Sequence, residues 1–162
     1  MDFDPFLMWI EDSWLSVFLR ESDSGFSGSL VVHIVGVALV ACPTIAGSLA
    51  LLGFLPGVSL PALKRYLSVF WLGLCVSVPS GLLLLIAYPT KSLTNPLFYV
   101  KLVAVAVGIW TVLALRRRMT HGNVGPSTAD RGLAILSLGL WGFVITSGRL
   151  LAYTYSRLMI GF

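Results

Sequence analysis

Long apolar stretches alternate with short polar breaks from about residue 29 to the end of the chain. Four stretches, near 29–54, 66–88, 97–115 and 132–155, carry almost no charge. Each reaches the ~20 residues that a helix needs to cross a ~30 Å hydrocarbon core. Lipid offers a bare backbone no hydrogen-bond partners, so only helices or a closed barrel can span it. None of the stretches alternates with period two, which selects helices. The breaks are LPGVSLPALKR at 55–65, PTKSLTNP at 89–96 and RRRMTHGNVGPSTADRG at 116–132. They are rich in Pro, Gly, Ser and charge and read as loops, short enough to make successive helices antiparallel neighbours. The expected fold is all-α: an integral membrane four-helix bundle over 24–162, preceded by an amphipathic interfacial helix over 1–23.

Composition supports this pattern. Of 162 residues, 57% are hydrophobic and 11% charged, and the mean hydropathy is +0.90. These values lie outside the range of soluble domains. The net charge of +4 is explained by where the cations fall. Lys64, Arg65, Arg116, Arg117, Arg118 and Arg131 occupy the first and third breaks, against Arg20, Lys91 and Arg157 on the other side. Basic loops stay in the cytoplasm. The expected location is therefore a bacterial inner membrane, multi-pass, with both termini on the periplasmic side. The basic balance then serves topology and anionic lipid, and nucleic acid is not an expected partner.

The first 23 residues hold six of the seven acidic side chains: Asp2, Asp4, Glu11, Asp12, Glu21 and Asp23. Between them, Phe3, Phe6, Leu7, Trp9, Ile10, Trp14, Val17 and Phe18 recur at spacings of three and four, as in a helix lying at an interface. A tail that merely packs on the bundle has the same pattern. A cleavable signal is not expected, because a signal begins with positive charge and this chain begins MDFDP.

Within the second span, Gly73, Ser77 and Gly81 fall four apart, a register that lets another helix approach closely. Gly132, Gly139 and Gly142 offer a looser version in the fourth. Pro43 and Pro79 lie inside spans and each removes a backbone hydrogen bond. Cys42 and Cys75 lack any CxxC partner and read as small buried hydrophobes. The chain shows no nucleophile with a base, no carboxylate pair, no phosphate loop and no metal-ligand cluster, so catalysis by this chain alone is not expected.

Three ionisable residues lie inside the spans: His33, Lys101 and Arg149. Such residues default to a functional hypothesis. With alternating helix directions, all three come near one level of the outer leaflet. No acidic residue in any span neutralises them. Lys101 and Arg149 could snorkel to lipid phosphates, whereas His33 is too short to do so. Asp12 or Glu11 folding over the site is a competing source of negative charge. The cofactors that suit the trio are haem b, with His33 on the iron and the basic groups on the propionates, or a quinone or anionic headgroup held by hydrogen bonds. A two-histidine haem is excluded by topology, since His121 falls in a cytoplasmic loop a hydrocarbon thickness, ~30 Å, from His33. The second axial ligand is then Met159, Met8, a partner chain or nothing.

In WLSVFLRES at 14–22, HIVGVAL at 33–39, NPLFYVK at 95–101 and GRLLAY at 148–153, the chain resembles an uncharacterised family of small bacterial four-helix inner-membrane proteins. That family carries a domain of unknown function distantly like cytochrome b-type and copper-resistance membrane domains. The resemblance covers most of the chain and implies a site at His33, Lys101 and Arg149. The chain departs from the pattern in two places. Ser48, Leu49, Ala50, Leu51, Leu52 and Gly53 stand where an acidic-Leu-Arg-Leu-Leu-Gly segment is the rule, and Arg116 stands where the pattern has histidine. What the resemblance implies here is thus the outer site, or a scaffold from which the inner site was lost. The expected function is a non-catalytic membrane subunit that binds haem b, a quinone or an anionic headgroup for electron transfer in a larger complex. The alternative is an accessory structural subunit of a membrane complex that binds only lipid.

Overall fold

The computed structural model of the protein describes residues 4–55, 60–121 and 127–158, with the side chains of 4, 60–67, 118–121 and 152–158 left aside. The described chain is helical: α1 Asp4–Glu11, α2 Trp14–Glu21, α3 Gly25–Leu51, α4 Leu60–Ala87, α5 Pro89–Leu93, α6 Pro96–His121 and α7 Thr128–Leu158. Four of these, α3, α4, α6 and α7, are long and apolar enough to cross a membrane. The protein is an all-α, multi-pass membrane bundle.

Local chemistry sets the helix ends. The amino-terminal segment is two helices where the spacing predicts one. The break falls at Ser13, whose extended backbone (φ −64°, ψ 145°) lets its Oγ accept the Ser16 N–H at 3.4 Å. A serine in this position caps a new helix. The second break holds the short helix α5. Asn95 Oδ1 accepts the Leu97 N–H at 2.9 Å, and Pro96 opens α6 where its missing N–H costs nothing. At α7, Ser127 and Asp130 exchange backbone-to-side-chain bonds at 2.9 and 3.3 Å in a capping box. The end of α3 is a Schellman turn: Gly53 adopts φ 88°, its N–H reaches Ala50 O at 3.1 Å, and the Phe54 N–H reaches Leu49 O at 3.0 Å. Helices consume much of the first and third breaks, because α4 begins at Leu60 and α6 continues through the arginines to His121. Residues 56–59 and 122–126 lie outside the described residues, as does Met159.

In the bundle α3 packs on α4, α6 on α7, and the α3–α7 contact joins the two pairs. One core takes Val40 and Ala41 from α3, Phe70 from α4, Ala104 and Val112 from α6, and Trp141 and Val144 from α7. A smaller cluster, Leu51, Leu115 and Ala134, closes the end away from the amino-terminal helices. Much of the buried remainder is small and hydroxylic: Thr44, Ser48, Ser77, Ser80, Thr111, Ser137 and Ser147. Several bond to their own helix, as Thr44 does to Val40 O and Thr111 to Gly108 O, both at 2.7 Å. The large residues Val31, Ile34, Trp71, Leu82, Val103, Trp110 and Ile135 point outward. Small residues inside and bulky apolar ones outside is the distribution that lipid rewards, because close backbone packing and not water exclusion joins helices there.

The α3–α4 seam carries this furthest. A Cβ on Gly36 would lie 2.7 Å from Ser77 N, and one on Gly73 would lie 2.7 Å from Val40 N. The Gly73–Ser77–Gly81 face is therefore turned onto α3, as its spacing predicts. Two other expectations fail. Gly132, Gly139 and Gly142 face open space, because the face of α7 that packs inward runs through Ala134, Ser137, Trp141 and Val144. Cys42 and Cys75 are exposed free thiols and not buried. Turning Gly73 and Ser77 onto α3 leaves Cys75, midway between them, on the outward side of α4.

Candidate functional site

Antiparallel packing brings the start of α3, the end of α4, the start of α6 and the end of α7 to one end of the bundle, together with α1, α2 and α5. His33 lies about 12 Å along α3 from its first residue, and Lys101 about 8 Å along α6. Both are inside the spans and both are half-buried.

The His33 ring lies on Gly81 of α4, where a Cβ would come within 3.0 Å of Cε1. Its Nδ1 is 2.9 Å from Ser77 O and 3.2 Å from Ser80 Oγ. A carbonyl only accepts, and the Ser80 hydroxyl already donates to Val76 O at 2.6 Å. In the neutral ring Nδ1 therefore carries the hydrogen and donates it across the seam, leaving Nε2 with a bare lone pair. The polar ring in the apolar run VVHIVGVALVA at 31–41 thus clamps α3 to α4.

Lys101 extends to α7. Its Nζ is 3.4 Å from the point a Cβ on Gly148 would occupy, so the glycine leaves the groove in which the ammonium rests. The start of α6, which carries Lys101, and the start of α3, which carries His33, lie at the same end of the bundle. No carboxylate pairs with Lys101 among the described residues. Asp12 is exposed, and the Arg20 guanidinium donates to the main-chain carbonyl of Glu11, not to its carboxylate. Arg149 follows Gly148 directly, but its side chain is exposed and none of the contacts just described involves it. The structure thus brings His33 and Lys101 into one site and leaves Arg149 on the outside of α7 near the same level. Met8 is 61% exposed on α1. His121 is the last residue of α6, twenty positions or about 30 Å from Lys101.

Ser77, Ser80, Gly81 and Gly148 complete the site. Ser77 and Gly81 sit in the Gly73–Ser77–Gly81 register, which points to helix packing and does not name the histidine it receives, and Ser80 lies one turn on from Ser77. Among the described residues no cluster of three or more His, Cys, Asp or Glu could hold a metal ion.

The fold and the site define a multi-pass four-helix membrane protein with a polar site set inside its spans: one helical clamp, and one ammonium that meets no carboxylate among the described residues. Comparison with family models, curated proteins and solved structures finds no match to the chain.

Proposed function

We propose that the protein is a non-catalytic subunit of a bacterial inner-membrane complex, with both termini periplasmic, whose site in the outer leaflet holds the electron-rich head of a redox ligand for electron transfer. The observation that carries this reading is Lys101: an ammonium half-buried within a span, against Gly148, at the end of the bundle that holds His33, with no carboxylate among the described residues. A cation at this depth is stable only with an anion, a set of carbonyls or a path to the headgroups. A quinone carbonyl or an anionic headgroup supplies the acceptor directly. Haem b fits by a second route. The Ser77 carbonyl fixes the His33 tautomer and leaves Nε2 for iron, the usual way that an outer partner orients a ligating imidazole. Lys101 would then meet a propionate, and Arg149 would serve at the rim.

One observation favours the other reading, an accessory structural subunit that binds only lipid. His33 is already employed in the α3–α4 seam, where Gly36, Gly73 and Gly81 leave no space between the helices. A polar clamp in lipid contributes on its own, on average ~0.6 kcal/mol per interhelical bond.

The test is purification in mild detergent followed by absorption spectroscopy and native mass spectrometry of the wild type, His33→Ala and Lys101→Ala. A Soret band lost in His33→Ala supports haem b. A quinone or anionic-lipid adduct lost in Lys101→Ala supports the headgroup version. If all three proteins share the same spectrum and the same adducts, the site is not a ligand site and the structural reading stands.

A further inference from the structure

The amino-terminal helices leave one face uncovered. Leu7, Ser16 and Leu19 are buried against the bundle, and the Ser16 hydroxyl donates to Ala87 O at the end of α4 at 3.4 Å. Leu19 meets the start of α3, where its carbonyl would lie 3.0 Å from a Cβ on Gly25. These contacts hold α1 and α2 at the ends of two membrane-crossing helices, which is the depth of the headgroups. On the opposite side Phe6, Trp9, Trp14 and Phe18 are 59%, 71%, 78% and 52% exposed. They stand as two stacked pairs, Phe6 with Trp9 at 6.1 Å and Trp14 with Phe18 at 5.6 Å. The same end of the bundle carries Tyr99, half exposed with its hydroxyl bonded to Leu93 O at 2.9 Å, and the edge-on pair Phe26 and Tyr88. Aromatic residues concentrate at this depth because a ring with one apolar and one polar end is best placed there.

Charge narrows the lipid. Asp12, Glu21 and Asp23 are exposed around the aromatic pairs, while Arg20 is turned inward to the Glu11 carbonyl. An anionic surface would repel this segment. A zwitterionic lipid with an outlying ammonium group offers the carboxylates a partner and the rings a carbonyl layer to enter.

We infer that α1 and α2 form a lipid-docking surface for amino-bearing zwitterionic phospholipid, with Phe6, Trp9, Trp14 and Phe18 wedged among the headgroups and Asp12, Glu21 and Asp23 meeting their ammonium groups. The surface is separate from the Lys101 site and stands whether or not that site binds a ligand.

The test uses the full chain in nanodiscs of phosphatidylethanolamine and phosphatidylcholine, with lipids brominated either near the carbonyl end of the chain or near its terminal methyl. Subtracting the emission of the Trp9→Phe/Trp14→Phe variant isolates these two indoles from Trp71, Trp110 and Trp141. The expected difference signal is quenched by the shallow bromine more than by the deep one and is shielded from aqueous acrylamide. Acrylamide quenching at the level of free indole, or shielding from both quenchers as under a protein partner or a second copy, overturns the docking surface. In phosphatidylglycerol nanodiscs the same signal should lose shallow quenching, and Asp12→Asn/Glu21→Gln/Asp23→Asn should restore it. Equal quenching of the wild type in both compositions overturns the assignment of lipid charge.

Discussion

Replacing a seam glycine with alanine tests whether the α3–α4 contact holds the bundle together. In Gly73→Ala the added carbon would sit 2.7 Å from Val40 N and 2.8 Å from both Leu39 C and Val40 Cγ2; in Gly36→Ala it would meet Ser77 N at 2.7 Å and Ser77 Cα at 2.9 Å. Most of these are backbone atoms inside helices, which no rotamer change can move aside. Favourable separation between such atoms is about 3.5–4.0 Å, so the two helices must part by roughly 1 Å. Overpacking of this kind typically costs about 1–3 kcal/mol. Alanine returns about 0.5–1 kcal/mol of helix propensity over glycine, so each variant should lose on the order of 1–2 kcal/mol net. The control is Gly139→Ala, where the new carbon meets nothing within 4 Å and only the propensity gain remains. Unfolding of the purified protein in mixed micelles, titrated with a denaturing detergent and followed by circular dichroism, reads all three. Parting the helices also stretches the 2.9 Å bond from His33 to Ser77 O. The effects of Gly73→Ala and His33→Ala should therefore add to less than their sum in a double-mutant cycle. If Gly36→Ala and Gly73→Ala lie within about 0.5 kcal/mol of Gly139→Ala, the range of inert surface substitutions, the seam is not the main contact.

Three further outcomes are expected. His33→Ala should destabilise the bundle by about 0.5–1.5 kcal/mol, the net worth of one hydrogen bond, in the same micelle titration, and a loss no larger than that of Ile34→Ala at the exposed neighbouring position would count against the clamp. Ser48 Oγ and Ser137 Oγ are buried without a hydrogen-bond partner among the described residues. Ser48→Ala and Ser137→Ala should accordingly leave the denaturation midpoint unchanged or raised, and a fall would mean that each hydroxyl has a partner in the membrane. Cys42 and Cys75 are exposed on apolar helix faces, so a lipid-soluble maleimide should label both in native vesicles and a membrane-impermeant charged one neither. Labelling by the charged reagent would place water where lipid is expected.

The four spans were legible because apolar runs of this length have few other solutions in water or lipid, and the α3–α4 face because glycine and serine four apart rarely serve anything but close approach. The breaks were less so. Arg116, Arg117 and Arg118 read as loop by their charge, yet arginine is a good helix former and α6 runs straight through them. Helix ends set by one side chain, Ser13 or Asn95, were hidden for the same reason: the cap competes with the apolar pattern over only three residues. At the site, burial depth could be counted along each span, which brought His33 and Lys101 to one end. Rotation about the helix axis could not be counted as well. Gly148 and Arg149 differ by a single step of about 100°, and that step puts the glycine against Lys101 and the arginine outside. Ser77 and Ser80 became visible as histidine partners only when α3 and α4 were docked in register.

The bond between Ser16 and Ala87 joins positions 71 apart in the chain. As the ribosome delivers the protein from its amino end, α2 has no seat until α4 has crossed the bilayer, and α1, which leans on α5, must wait until about residue 93. Helices α1 and α2, made before α3, thus settle only after α4 and α5 have followed it, and their docking reports that the α3 and α4 spans have inserted and paired.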